Sequence, residues 1–344
     1  VASRDRRATL ASVAASAGVS VATVSKVLNG RDDVAPATRA LVQELLHAHD
    51  YVARRVRPAL SPAIELVFHG QLNAYHTEVL QGVVEAATEA GVAVVVTMRP
   101  REQRSSGASR PAGWARALAA AGRQAAIVVT SELADVDLTA MTRARMPVVV
   151  IDPLNLPSAR VTSVGSTNFA GGMLATRHLL DLGHRQIAYL GGPAAAACNQ
   201  ARMQGYRGAM DAGGAAVPDD YVRTGRFSYD HGLAGGAALL DLPEPPTAVF
   251  AGSDETALGV IEAARGRGLR IPDDLSVVGF DDTPLARLAA PPLTTVRQPL
   301  REMGAVAVRT ALRLAAGERV DSHHVELATE LVVRQSTAHR REDS

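Results

Sequence analysis

Two groups of residues in this chain have types and spacing suited to chemistry. Ala22, Ser25, Lys26 and Asn29 recur at i, i+3, i+4 and i+7, one stripe of a helix that turns Val24, Val27 and Leu28 inward. A hydroxyl, an ammonium and an amide on one short helix suit the major groove of DNA. Lysine donates to guanine O6 and N7, while Ser, Thr and Asn hold phosphates or read base edges. A solvated polar face is the plainer reading. Two features weigh against it: the tight turn Ala17-Gly18-Val19-Ser20 ahead of the helix, and the place of Lys26, the sole lysine among 36 Lys and Arg.

The second group stands at the ends of β-rich runs. His69 follows residues 64–68, Asp152 follows 148–151, Ser253 and Asp254 follow 247–251, and Asp281 and Asp282 follow 276–280. In open parallel sheets, ligands sit beyond the carboxyl ends of the strands. Carboxylates gathered there suit a neutral polyhydroxyl ligand, because each Asp accepts hydrogen bonds from two hydroxyls. Arg202 opens a helix beside them with a fork of donors, and Phe227 offers a ring face to a sugar. Each has a simpler alternative: Asp254 and Asp282 as helix N-caps, Phe227 as core, His69 as a satisfied polar residue.

The elements that must position these groups fall into two kinds. Residues 9–50 read as three short helices, 10–17, 21–28 and 36 to about 49. Thr9 and Ser20 are N-caps, Gly18 and Asn29-Gly30 are stops, and Pro36 sits in a first turn. Helices this short must pack together to persist. Residues 53–63, basic and bounded by proline, read as a linker.

From residue 64 the pattern alternates. Strand-like runs at 64–68, 92–97, 125–130, 148–151, 186–190, 247–251 and 276–280 are separated by helical stretches such as 79–90, 172–182 and 256–267. Alternation of this kind implies parallel sheets covered by helices, and its length suggests two doubly wound lobes. Residues 104–113 read as a surface loop.

Composition narrows the function. The 344 residues are 47% hydrophobic, enough for one small and one large domain. Net charge is only +1, but residues 1–60 carry nine Lys/Arg against five Asp/Glu, leaving the remainder mildly acidic. A basic head suits phosphate. One cysteine, Cys198, excludes a disulfide framework or a CxxC metal site. No apolar stretch is long enough for a membrane helix and no secretory segment is evident, so a cytoplasmic protein without a membrane partner is expected. No GxSxG, HExxH or Walker loop occurs. Residues 165–172 resemble a phosphate loop but lack its lysine, and His323-His324 reads as surface. The chain reads as no enzyme, with no cofactor and no metal.

Residues 9–30, Thr-Leu-Ala-Ser-Val-Ala-Ala-Ser-Ala-Gly-Val-Ser-Val-Ala-Thr-Val-Ser-Lys-Val-Leu-Asn-Gly, resemble the DNA-binding headpiece of the lactose-repressor (LacI/GalR) family, with Ser12 where that family usually has Asp. The resemblance implies that Val21, Ala22 and Lys26 approach base edges and that Thr9, Leu10, Ser20, Thr23, Ser25 and Asn29 meet the backbone. It also implies that Leu60, in a linker that folds on the operator, wedges into the minor groove. Pro58 is unusual in such a segment.

The resemblance continues in Arg202-Met-Gln-Gly-Tyr206, Ser253-Asp-Glu-Thr-Ala-Leu-Gly259, Ser276-Val-Val-Gly-Phe-Asp-Asp282 and Pro291-Pro-Leu-Thr-Thr-Val-Arg-Gln298, with Ser253 in place of the usual Asn. It implies an all-α helix-turn-helix headpiece (1–52), a hinge (53–63) and an α/β periplasmic-binding-protein-like core (64–344) of two doubly wound parallel-sheet lobes with three crossovers. The N-lobe would take about 64–163 and 297–322, and the C-lobe about 164–296 and 323–337. An effector would meet His69, Asp152, Arg202, Phe227, Ser253, Asp254, Asp281 and Gln298. The partners implied are pseudo-palindromic double-stranded operator DNA, a small-molecule effector and a second copy of the chain, the homodimer burying a helix near residues 78–90.

Val67-Phe68-His69, Ile151-Asp152-Pro153 and residues 165–172 look like actinobacterial members that control plant-polysaccharide use, which implies a xylo- or cello-oligosaccharide-like inducer. A purine-type co-repressor-dependent regulator is the rival within the family. A sugar-binding protein without a regulatory role is the rival outside it, and it would carry an export signal rather than a headpiece.

Overall fold

Three helices too short to stand alone form the first of two units, Val1–Leu60 and Ser61–Ser344, into which the chain divides. The computed structural model describes residues 10–28, 31, 33–48, 62–99, 111–130, 135–155 and 161–341. In the first unit, α1 (Leu10–Ala17), α2 (Val21–Leu28) and α3 (Pro36–Ala48) enclose Val13, Ala14, Val24, Val27, Val34 and Val42. Gly18 ends α1 at φ 64°, where a side chain would be strained, and Val19 N donates to the Ala14 carbonyl at 3.1 Å. Ser20 Oγ caps α2 by accepting from Thr23 N at 3.1 Å. The expected Thr9 cap, the Asn29-Gly30 stop and nearly all of the 53–63 linker lie outside the described residues. Ala63, assigned to that linker from sequence, opens the first strand instead.

The second unit runs β1 (Ala63–His69), α4 (Ala74–Glu89), β2 (Ala93–Arg99), α5 (Pro111–Ala120), β3 (Arg123–Val129), α6 (Asp135–Arg143), β4 (Val148–Ile151) and β5 (Thr162–Ser166). It continues with α7 (Asn168–Asp181), β6 (Ile187–Gly191), α8 (Ala197–Ala212), β7 (Val222–Thr224), α9 (Tyr229–Leu240), β8 (Ala248–Ala251) and α10 (Asp254–Arg265). Then come β9 (Ser276–Asp281), α11 (Pro284–Leu288), β10 (Thr294–Arg297), α12 (Leu300–Ala315), β11 (His324–Leu327) and β12 (Glu330–Val332).

Two six-stranded sheets result, ordered β11-β5-β4-β3-β1-β2 and β12-β10-β9-β8-β6-β7. Among the described residues every pairing is parallel except the antiparallel β10–β12. Helices cover both faces, so β6, β8 and β9 are buried along their whole length, which is why β6 and β8 read as unbroken apolar runs. Glu65 is the exception inside β1, buried and held by Arg123 Nε at 2.7 Å and by the Thr97 hydroxyl.

The structure corrects the expected lobe boundaries. β5 carries the first lobe to Ser166, and β11, expected in the second lobe, pairs with β5 from His324↔Ser163 to Leu327↔Ser166. A four-residue edge strand of alternating polarity, His-Val-Glu-Leu, leaves too weak a pattern to place. The chain crosses between lobes at Thr167, at Gln298-Pro299 and at Ala328-Thr329. These crossings are laced together. Ser166 Oγ donates to Gln298 Oε1 at 2.5 Å, and Thr329 N donates to Thr167 Oγ1 at 3.0 Å.

Other boundaries move as well. α4 starts at Ala74, five positions before the expected 79, because Asn73 and His76 form a capping box with histidine in the usual place of Glu. α5 begins at Pro111, inside the expected 104–113 loop, and residues 101–110 lie outside the described ones. Arg202 sits within α8 rather than at its start. Among the described residues no single helix is long and apolar enough to cross a membrane.

Candidate functional site

The carboxyl ends of β1, β3 and β4 in one lobe and β8 and β9 in the other face each other across a cavity of about 560 Å³. Of the residues expected from sequence, His69, Asp152, Arg202, Phe227, Ser253, Asp254 and Asp281 line it. Gln298 is not among its lining residues. It stands behind Asp281, donating from Nε2 to Asp281 Oδ1 at 2.6 Å. Asp282 also lies behind the wall, paired with Arg297 at 2.7 Å and Arg334 at 2.6 Å.

Three buried charged groups dominate the cavity. Arg202 Nε donates to Asn168 Oδ1 at 2.8 Å and Nη1 to the Gly252 carbonyl at 2.6 Å. Its guanidinium lies 3.8 Å from the ring centre of Phe280 and 5.3 Å from that of Phe227, cation–π contacts that orient the fork. Asp281 Oδ1 is 3.9 Å from Arg202 Nη1. Asp152 accepts from the Tyr75 hydroxyl at 2.6 Å. Burial pushes the carboxyls of Asp152 and Asp281 upward, the latter well above the usual range. With Asp152, Asp254, Glu255 and Asp281 in its lining against Arg202 and Arg226, the cavity is rich in carboxyl groups.

Backbone strain gathers at the same place. Thr130 (φ 46°), Asp152 (47°), Asp281 (118°) and Asp282 (55°) end β3, β4 and β9 in the left-handed region. A non-glycine residue held there costs about 1–3 kcal/mol and persists only where surrounding contacts enforce it.

Ser253 and Asp254 touch the cavity, yet their polar atoms are engaged by the protein. Ser253 Oγ caps α10 by accepting from Thr256 N at 3.2 Å. Asp254 accepts from Thr283 N at 2.7 Å, Thr283 Oγ1 at 2.9 Å and Thr295 Oγ1 at 2.6 Å, while burial pushes its carboxyl up to about 7. Sequence reasoning missed Tyr75, His76, Cys198 and Glu255, which also line the cavity. The spacing of Asn73 and His76 was the available signal for the first two. Burial pushes the Cys198 thiol up to about 11, which disfavours its thiolate. Among the described residues no group of His, Cys, Asp and Glu is placed to hold a metal ion.

In the first unit, Val21, Ala22 and Lys26 form an exposed strip of α2, with Val21 47% accessible. Thr23 and Ser25 are half-buried at its margin, and Leu10 packs on the helical core. Lys26 Nζ is paired with Asp33 at 2.6 Å, and the Ser20 and Thr23 hydroxyls lie 2.9 Å apart. Thr9, Asn29 and Leu60 lie outside the described residues.

A helix-turn-helix unit joined to a two-lobed, cleft-bearing α/β unit defines a class of ligand-responsive DNA-binding regulators. Comparison with known proteins agrees. Residues 9–53 match the model for bacterial regulatory proteins of the lacI family, and residues 176–337 match that for a periplasmic binding protein-like domain. The transcriptional regulator CelR of Thermobifida fusca is 34% identical over 97% of this chain and 99% of its own, and catabolite control protein A of Priestia megaterium 31% over 96% and 99%.

Among solved structures, the CelR–cellobiose complex is similar with a TM-score of 0.70 and 34% identity over 96% of this chain and 100% of that one. The lac repressor dimer bound to operator and the anti-inducer ONPF gives 0.71 and 29% over 97% and 100%. The chain belongs to the lacI family of bacterial regulators. It is an effector-controlled, DNA-binding transcriptional repressor rather than an enzyme.

Proposed function

We infer that the effector is a carbohydrate of the cello- or xylo-oligosaccharide type, released from plant polysaccharide, and that it acts as an inducer. The observation that carries this reading is the set of Asp152, Asp281 and Arg202 around a cavity of about 560 Å³, with Phe227 beside them. That volume lies within the range of about 300–1,000 Å³ usual for small-molecule sites. Asp152 and Asp281 accept sugar hydroxyls, Arg202 donates, Phe227 stacks on an apolar ring face, and His69 completes the rim. Ser253, Asp254 and Gln298 hold the wall rather than the sugar. The cellobiose complex of CelR, the relative 34% identical to this chain, supports the ligand class.

On DNA, Val21, Ala22 and Lys26 read base edges. Leu10, Ser20, Thr23 and Ser25 position the backbone, together with Thr9 and Asn29, and Leu60 is the minor-groove wedge. A homodimer, the state of the lac repressor relative on its operator, sets two headpieces over a pseudo-palindromic cytoplasmic operator. Ligand releases DNA because it binds the off-operator arrangement more tightly, and the coupling is reciprocal.

Calorimetric titration of the full chain with cellobiose, xylobiose, hypoxanthine and guanine tests the ligand class. Saturable binding of a disaccharide, lost in Asp281→Asn, is expected. Binding of a purine alone would replace this reading with the co-repressor one.

A further inference from the structure

Glu255, second residue of α10 in the second lobe, lines the cavity but has no counterpart among the groups assigned above to the sugar. Its Oε1 lies 3.3 Å from the backbone nitrogen of Ala74, first residue of α4 in the first lobe. Two neighbouring donors of this helix start are satisfied locally. His76 N donates to Asn73 Oδ1 at 3.0 Å, and Asn73 N donates to His76 Nδ1 at 3.3 Å. Ala74 N–H, a first-turn donor with no acceptor inside the helix, is met by Glu255 instead. A carboxylate suits it twice over, as an acceptor and as a negative charge at the positive end of the helix dipole.

Caps usually come from the few residues before a helix. This one comes from 181 positions away, across the cleft. Burial raises the Glu255 carboxyl, and the start of α4, at Ala74 N and Asn73, pulls it back down. The helix it grips is not free to move alone. α4 meets α12 backbone to backbone at Gly304, where a Cβ would stand 2.7 Å from the Val79 carbonyl oxygen. Arg301 of α12 pairs with Glu78 of α4 at 2.8 Å. A pull on the start of α4 is therefore a pull on α12, which begins just after the second crossing.

We propose that Glu255 is a positioning residue of the effector response, one that sets the separation of the lobes by capping α4 across the mouth of the cleft. This rests on the cleft being the effector site. The bond exists only at this lobe separation, so removing it shifts the chain toward a wider cleft. Glu255→Ala removes the acceptor, whereas Glu255→Gln keeps an oxygen in the same place.

The experiment is amide hydrogen exchange on the full chain with no added ligand, comparing wild type, Glu255→Ala and Glu255→Gln. In Glu255→Ala, exchange rises several-fold over residues 70–76 of one lip and also over 226–228 of the other, while Glu255→Gln stays close to wild type. A parallel titration with cellobiose is weakened about threefold to tenfold by Glu255→Ala, the range of one lost hydrogen bond. Unchanged exchange at 226–228 overturns the proposal, as does a Glu255→Gln protein that behaves like Glu255→Ala. If cellobiose fails to bind wild type, the ligand reading fails and the exchange result still decides the role of Glu255.

Discussion

Gln298 ties a cleft carboxylate to a crossover. One buried amide donates to Asp281 Oδ1 at 2.6 Å and accepts from Ser166 Oγ at 2.5 Å. Gln298→Leu fills similar space but leaves Ser166 Oγ without its bond and Asp281 with only the longer Arg202 contact at 3.9 Å. Loss of about 1–3 kcal/mol is expected, read as a lower thermal midpoint. Effector titration should weaken as Asp281 loses its orientation, while DNA binding persists. Unaltered effector binding would show that Asp281 needs no such support.

Lys26 is held by Asp33 at 2.6 Å, with side chains 50% and 57% exposed, so the pair contributes little to stability. Lys26→Ala should leave the melting curve in place and reduce discrimination between operator and unrelated duplex by about tenfold to a hundredfold. Asp33→Asn releases the ammonium and should tighten operator binding, seen as a lower midpoint in fluorescence anisotropy. Tightening on every duplex alike would make Lys26 a phosphate contact instead.

Close approach of α4 and α12 makes Gly304 sensitive to a single methyl. A Cβ there meets the Val79 carbonyl oxygen at 2.7 Å and Val83 N at 2.8 Å, backbone atoms that cannot rotate aside. Gly304→Ala should destabilise the first lobe by about 1–3 kcal/mol, typical of overpacking. Denaturant unfolding would register this as a lower midpoint at unchanged slope.

His184 fastens the C-terminal segment to the second lobe. Its Nε2 lies 3.1 Å from the Ala338 carbonyl, to which it donates, leaving Nδ1 to accept from Thr247 Oγ1 at 2.9 Å. Burial holds its pKa below the ordinary 6.5, and Arg340, His178 and His339 add to the effect. The folded chain thus binds fewer protons here than the unfolded one. The stabilisation is whole above about 6.5 and declines as pH falls below it. Limited proteolysis should release residues after Arg334 faster at pH 5.5 than at 7.5, a difference that His184→Gln should flatten.

Much of the candidate site was legible because strand ends are local. An apolar run that stops at a carboxylate marks Asp152 or Asp281 without knowledge of the fold. What those carboxylates bond to is not local. The partners of Asp254 lie 29 and 41 positions on, at Thr283 and Thr295. That distance made a saturated structural group look like a ligand contact. Tyr75 escaped notice for the same reason, since Asp152 is 77 positions away from it.

The amino-acid order alone settles the headpiece, its turn and the alternating strands and helices, because periodicity, caps and glycine stops act within a few residues. Tertiary structure alone decided that β11 completes the first sheet, that Gln298 and Asp282 stand behind the wall, and that Glu255 reaches α4. Each of those depends on which distant segments share an edge or a cleft. Short polar segments carry no pattern strong enough to announce such neighbours.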